Sequence, residues 1–239
     1  MAESEKKTAG RPDSPLIKFC GMTRPEDASA AARLGAAYVG AIFATSPRQI
    51  DEATALSVFG AAGSGIASVA VFSGGAIEDI AAVATRVSAD VIQLHGDVGP
   101  ATIEALRARF PGRIWAVASV DPDGALANPH LDELAREADA ILFDTRVSGK
   151  TGGTGVTFNW TQLAATVERI RHETSVVLAG GLDAGNVAAA IRALQPDVVD
   201  VSSGVEAAPG IKDHSRMLAF AEAARSASID GGKTTSSSQ

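Results

Sequence analysis

The chain is predicted to fold as a single-domain α/β protein of the (β/α)8, or TIM-barrel, class. Short apolar runs rich in β-branched residues recur eight times, at 16–20, 37–43, 66–72, 90–94, 113–118, 140–144, 175–179 and 197–202, each followed by a stretch with helical apolar spacing. Runs such as ASVAVF and SVVLAG are apolar at consecutive positions. That pattern suits strands covered on both faces, as in a parallel sheet beneath helices. Eight such units in about 210 residues fall within the usual extent of a closed barrel, and an open doubly wound sheet is the other arrangement of the same units.

The first run leads into Thr23-Arg24-Pro25-Glu26, which reads as a capping box with proline in the first helical turn. An alanine-rich helix to Leu34 should follow, closed by Gly35 as its C-cap. The second run gives way to a Ser46-Pro47-Arg48 loop, and the fourth ends at Gln93-Leu94-His95-Gly96. Trp115, in the fifth run, is expected to fill core space. The sixth, ADAILFD, ends at Asp144 and opens the one long connection, TRVSGKTGGTGVTFN at 145–159. A glycine-rich loop of that length is a functional lid or a tolerated surface excursion, with Trp160 anchoring its end. The seventh run leaves through Gly180-Gly181 and the eighth through Ser202-Ser203-Gly204. Residues 1–14 and 228–239 carry little to bury and are expected to be flexible extensions of a barrel over 15–227.

Composition narrows the function. The 46% hydrophobic content is enough for a sizeable core. With 21 basic against 28 acidic residues, a formal charge of -7 and no basic run, nucleic acid is an unsuitable partner. No run approaches the ~18 apolar residues of a membrane span, and the N-terminus lacks an export signal's apolar segment. The single cysteine excludes an internal disulfide and a cysteine-based zinc cluster and fits a reducing compartment, so a cytoplasmic location is expected. The outward helices are alanine-rich and show no apolar stripe for a partner, so the oligomeric state is not read from them; a monomer or homodimer is the expectation.

In a barrel of this class the chemistry sits where strands end and βα loops begin. The glycine-rich exits Gly180-Gly181 and Ser202-Ser203-Gly204 let backbone N–H groups approach a phosphate closely, although each alone is also a tight turn. Asp144 ends a buried run, where desolvation raises a carboxyl pKa and suits a proton donor; a helix cap or structural ion pair is the other reading. Cys20 is either buried filler or, beside a helix start whose dipole favours the thiolate, a base or nucleophile. Arg48 can clamp a carboxylate with two parallel hydrogen bonds or lie solvated at the surface. His95 is given a supporting, ligand-facing role, since no second histidine sits at metal-ligand spacing. No metal site or cofactor is expected.

Taken together, these segments resemble the phosphoribosylanthranilate isomerase family over about residues 16–226. The resemblance is carried by Lys18-Phe19-Cys20-Gly21-Met22-Thr23 with Glu26-Asp27-Ala28, then Ser46-Pro47-Arg48, Gln93-Leu94-His95-Gly96 and Leu142-Phe143-Asp144-Thr145. It continues through Gly152-Gly153-Thr154-Gly155 with Phe158-Asn159-Trp160, Leu178-Ala179-Gly180-Gly181-Leu182, and Val199-Asp200-Val201-Ser202-Ser203-Gly204-Val205-Glu206 with Pro209-Gly210 and Lys212-Asp213. It implies a cofactor-free, metal-free Amadori rearrangement of a small phosphosugar in tryptophan biosynthesis, with Asp144 as general acid and Cys20 as general base of lowered pKa. It further implies Arg48 on the anthranilate carboxylate, the two glycine loops on the phosphate, and Gly155 and His95 against the substrate. Val156, Asn159 and Phe19 depart from the family's usual residues. The related histidine-pathway isomerase, a dual-substrate version of it, and a catalytically silent phosphosugar-binding barrel are the alternatives.

Overall fold

Eight parallel strands close on themselves in the computed structural model, which describes residues 14–96, 98–126, 128–147, 150–151 and 159–229. The strands are β1 (Leu16–Phe19), β2 (Tyr38–Ile42), β3 (Ala67–Ser73), β4 (Val91–His95), β5 (Arg113–Val120) and β6 (Ala140–Val147), then, beyond the two-residue β7 (Lys150–Thr151), β8 (Ser175–Leu178) and β9 (Val198–Val201). Each predicted run coincides with one barrel strand. Neighbours in sequence are neighbours in the sheet, β6 pairs with β8 across β7, and the β1–β9 pairing closes the ring, with Leu16 opposite Val198 and Phe19 opposite Val201. This is the predicted closed barrel rather than the open sheet. β7 folds back antiparallel on the end of β6; residues 152–158, which hold Gly155 and Val156, lie outside the described residues, as do 1–13 and 230–239.

The connecting helices are α1 (Pro25–Arg33), α2 (Glu52–Ala62), α3 (Ile77–Arg86), α4 (Pro100–Arg107), α5 (Leu131–Glu137), α6 (Trp160–Ile170), α7 (Val187–Leu194) and α8 (His214–Ile229). Each of the better-patterned ones buries a single stripe, such as Leu163, Val167 and Ile170 on α6 or Val187, Ala190, Ile191 and Leu194 on α7. Asn159 caps α6 through a hydrogen bond from Thr161 N–H, so that departure from the family residue still supplies a good N-cap. Trp160, partly buried, packs on the same core.

One helix start differs from expectation. The N-cap of α1 is Arg24, without a side-chain cap, and Thr23 instead donates its hydroxyl to the Gly210 carbonyl. Proline at the next position holds Arg24 extended (φ -131°, ψ 135°), and its guanidinium forks onto Asp27 at 2.9 and 2.7 Å. Gly35, at φ 67°, follows the C-cap as predicted.

Two apolar layers result. The larger lies between sheet and helices and includes Phe19, Ile92, Ile114, Phe143 and Phe220. The smaller fills the barrel, with Tyr38, Val69, Val91, Trp115, Val117, Leu142 and Val177 among its members. At the N-terminal floor Tyr38 meets Trp115 edge to face at 4.9 Å, and Arg113 lies over the tyrosine ring and donates to its hydroxyl at 3.0 Å. Trp115 is core, as expected.

The floor also carries a repeated clamp. Asp90, Asp139 and Asp197 immediately precede β4, β6 and β9, the fourth, sixth and eighth strands of the ring. Each donates its own N–H to the carbonyl of a residue in the preceding strand (Ser68, Ile114, Val176) and accepts that same residue's N–H with its carboxylate, at 2.8 Å in all three. In the first strand pair Ala37 donates its N–H to the Ile17 carbonyl and has no carboxylate to return the bond. A two-strand unit is thus stamped around the ring, with one carboxylate missing.

Candidate active site

A cavity of about 840 Å³ opens at the C-terminal ends of the strands. Cys20 and Asp144 both line it, as do Arg48 and His95, and Gly180, Gly181, Ser202 and Ser203 form another part of its wall. Gly204 is not on the wall: a Cβ there would collide with the Leu182 carbonyl oxygen, so its glycine serves the packing of one exit loop on the other. Of the candidate site residues named from the sequence, Gly155 falls outside the described set.

Burial dominates the proton chemistry. The Asp144 carboxyl is pushed up to about 7, first by desolvation, then by the nearby Asp200 carboxylate, against smaller opposing effects of the Thr145 amide and Lys18. It is therefore a half-protonated acid near neutral pH. The Cys20 thiol is also pushed up, which corrects the expected lowered value. Desolvation outweighs the opposing Lys18 ammonium. His95 shares a 2.9 Å hydrogen bond with Gln93 and is lowered to about 4 by burial and by Lys18, so it is a neutral imidazole at physiological pH.

Arg48 is held from behind. Its Nε and Nη2 donate to the two oxygens of buried Glu206, both at 2.8 Å, leaving Nη1 without a protein partner among the described residues. Gly21 makes room for it: a Cβ there would come within 2.6 Å of the arginine Cδ. Glu206 starts a hairpin of β10 (Glu206–Ala208) and β11 (Ile211–Lys212). Buried Lys212 on that hairpin donates to Glu206 at 2.9 Å, to the Cys20 carbonyl at 2.6 Å and to the Ser202 carbonyl at 3.1 Å.

The two glycine exits meet side by side. Gly180 sits at φ 86° over Thr145, where any Cβ would clash, and Gly181 at φ 64°. A 3-10 turn, Ser203–Val205, follows β9. Among the described residues the amides of Gly180, Gly181 and Ser203 donate to no protein acceptor, and the Ser202 hydroxyl is buried without a partner. Free backbone donors from two loops, side by side on one wall, make that wall chemically suited to an anion.

Against known proteins, the profile of the family described as N-(5'-phosphoribosyl)anthranilate (PRA) isomerase matches residues 17–223. The chain belongs to this family. The N-(5'-phosphoribosyl)anthranilate isomerase of Erythrobacter litoralis is 37% identical over 89% of this chain and 99% of its own. A crystal structure of phosphoribosyl anthranilate isomerase from Thermotoga maritima is similar at a TM-score of 0.78 and 32% identity, covering 89% of this chain and 99% of that one. Another phosphoribosyl anthranilate isomerase structure is a complex with reduced 1-(o-carboxyphenylamino)-1-deoxyribulose 5-phosphate, at a TM-score of 0.74, 30% identity and 89% and 99% coverage.

Within this member of the isomerase family, four residues that sequence reasoning gave no role also shape the site. Lys18 and Asp200 form a buried ion pair at 2.8 Å inside the barrel, the lysine sealed and the aspartate reaching the cavity. Glu206 and Lys212 lock the rim. Strand parity was the available signal for the first two: Lys18 lies two residues before Cys20 and Asp200 two before Ser202, so each pair shares the inward face.

Proposed function

We propose that this chain is an isomerase of tryptophan biosynthesis that converts N-(5'-phosphoribosyl)anthranilate into 1-(2-carboxyphenylamino)-1-deoxyribulose 5-phosphate, working in the cytoplasm. The observation that carries the reading is one cavity walled by a protonatable carboxyl, a thiol, an arginine with a free edge and a nest of unpaired amides. Each part answers a part of that substrate.

Asp144 donates its proton to the furanose ring oxygen as the C1'–O bond breaks and the nitrogen lone pair forms a C1'=N iminium. Cys20, as thiolate, takes the C2' proton, and the electrons left behind neutralise the iminium and give an enolamine. That species becomes the ketone when its C2' hydroxyl proton is lost and C1' gains one. One proton enters from Asp144 and one leaves to Cys20, so the pair is reset through solvent; the net change is an isomerisation and needs no cofactor. The amides of Gly180, Gly181 and Ser203 with the Ser202 hydroxyl hold the phosphate, and Nη1 of Arg48 meets the anthranilate carboxylate. His95, being neutral, shapes the wall without adding charge.

The competent form has Asp144 protonated and Cys20 ionised. Because the thiol, raised from 9.0, stays above the carboxyl at about 7, the singly protonated pair keeps its proton mostly on sulfur, and the competent form is its minor tautomer. A bell-shaped rate profile follows, its acidic limb near the Asp144 value of about 7. The test is loss of anthranilate-ester fluorescence on adding phosphoribosylanthranilate to purified protein, beside Cys20→Ala and Asp144→Asn. Wild-type protein no faster than either variant sinks the reading in favour of a phosphosugar-binding barrel. Turnover of the histidine-pathway bisphosphate, run in parallel, would show a second substrate.

A further inference from the structure

Lys18 is among the largest fully buried side chains of the described residues, and it lies under the cavity rather than in it. Its ammonium donates to Asp200 Oδ2 at 2.8 Å, across the β1–β9 seam. Asp200 lines the cavity, and its other oxygen is buried without a hydrogen-bond partner. The place a Gly40 side chain would fill lies 2.9 Å from the Cys20 sulfur and 3.3 Å from the Lys18 nitrogen, so both groups crowd around one bare glycine. A charged pair sealed at this depth is a costly way to hold two strands together, since apolar residues of the same volume pack there as well or better. Its place, with Lys18 beside the Cys20 sulfur and Asp200 on the same cavity wall as Asp144, suggests another use.

We propose that the Lys18–Asp200 pair is the charge-setting and positioning element of the isomerisation, its ammonium end favouring the Cys20 thiolate and its carboxylate end keeping Asp144 protonated. The inference rests on the acid and base roles given above. The signs are consistent at both ends. At Cys20 the attraction of Lys18 outweighs the repulsion of Asp200, whereas at Asp144 the repulsion of Asp200 outweighs the attraction of Lys18. One pair therefore pushes the two groups in opposite directions, toward the tautomer the reaction uses. Other charges face the same sulfur: Lys212 from β11 and Arg48 from the loop after β2 both favour the thiolate, and both are engaged by Glu206. Neutral His95 contributes no charge of its own. The Lys18–Asp200 pair alone acts on both proton carriers with opposite net sign.

Lys18→Gln/Asp200→Asn tests this, because it removes both charges while keeping a donor and an acceptor in contact. Alkylation of Cys20 by iodoacetamide as a function of pH reads the thiol directly, since the chain has one cysteine. In the double variant its midpoint should rise by about one pH unit. The bell of kcat/KM should widen on both sides while its maximum falls, about tenfold for each unit by which the two groups move apart. A structural role would lower activity without widening the bell. A folded double variant with the wild-type alkylation midpoint and bell overturns the proposal. So does a double variant that cannot fold, because the pair would then be needed for structure. Wild-type protein without isomerase activity would instead defeat the acid and base roles, and the alkylation midpoint would still report whether Lys18 and Asp200 set the thiol.

Discussion

Among the described residues, the clamp carboxylates at the floor of the barrel are all hydrogen-bonded, and at the rim several buried polar atoms are not. Each clamp aspartate returns the hydrogen bond it receives, and the Tyr38 hydroxyl has its arginine. Around the cavity, Gln93 Oε1, Thr145 Oγ1, Asp200 Oδ1 and Ser202 Oγ are buried without partners. A buried polar atom left unsatisfied costs about 1–3 kcal/mol. The contrast separates two tasks within one strand set: the N-terminal ends close the ring, and the C-terminal ends keep their bonding capacity for a guest. Substitutions at the floor should therefore alter stability and spare turnover, and those at the rim should change turnover, with stability following each group's own partners.

The largest effect is expected at the rim. Asp144→Asn should cut kcat about 10²- to 10⁴-fold in the fluorescence assay. Its stability should move the other way. A carboxyl raised from 3.8 to about 7 stabilises the fold fully below the lower value and loses that contribution as pH rises through the higher one. Urea unfolding above pH 7 should accordingly show the variant more stable than wild type, with the advantage gone below 3.8. Equal stability at both pH values would mean the carboxyl is not desolvated.

Glu206→Gln probes the one rim residue that also holds the structure. It leaves Lys212 and Arg48 without their shared anion and should cost about 3 kcal/mol in denaturant unfolding. Arg48, freed from its anchor, should raise KM more than it lowers kcat. An unchanged KM would show that the Glu206 fork does not orient the guanidinium for substrate.

At the floor, Asp139→Ala leaves the buried Ile114 N–H unpaired and also removes the partner of Arg107, for a loss of about 2 kcal/mol. Turnover at a temperature well below the transition should be unaltered, and a drop in kcat would blur the division between floor and rim. The smallest change is a gain. Ser88, exposed just before the Asp90 clamp, holds φ 54°, a left-handed conformation that glycine adopts freely. Ser88→Gly should raise stability by about 0.5 kcal/mol with activity unchanged, as read by thermal unfolding.

The same contrast explains what was legible in the sequence. Strands announce themselves through uninterrupted apolar runs, so all eight could be placed, and ASVAVF and Ala67–Ser73 describe the same element. Rim residues that end such runs, Cys20 and Asp144, stand out by position. Charges inside a run do not. Lys18 and Asp200 look like edge or surface residues until the closed ring puts them opposite each other, a pairing between residues 182 apart. Thr23 failed for a related reason: its local pattern is a capping box, but a turn from the far end of the chain, at Gly210, took the hydroxyl. The thiol's direction of shift was likewise set by surroundings no local window contains, since depth in the barrel outweighs nearness to a helix start.

The join between β1 and β9 brings the first strand of the ring to the last. A nascent chain halted before β9 would hold the Lys18 ammonium with no counter-anion and would lack Ser202 and Ser203 from its would-be phosphate nest. Docking of β9 on β1 therefore seals the lysine and completes the phosphate wall in a single event, so closure of the ring and assembly of the site are one step.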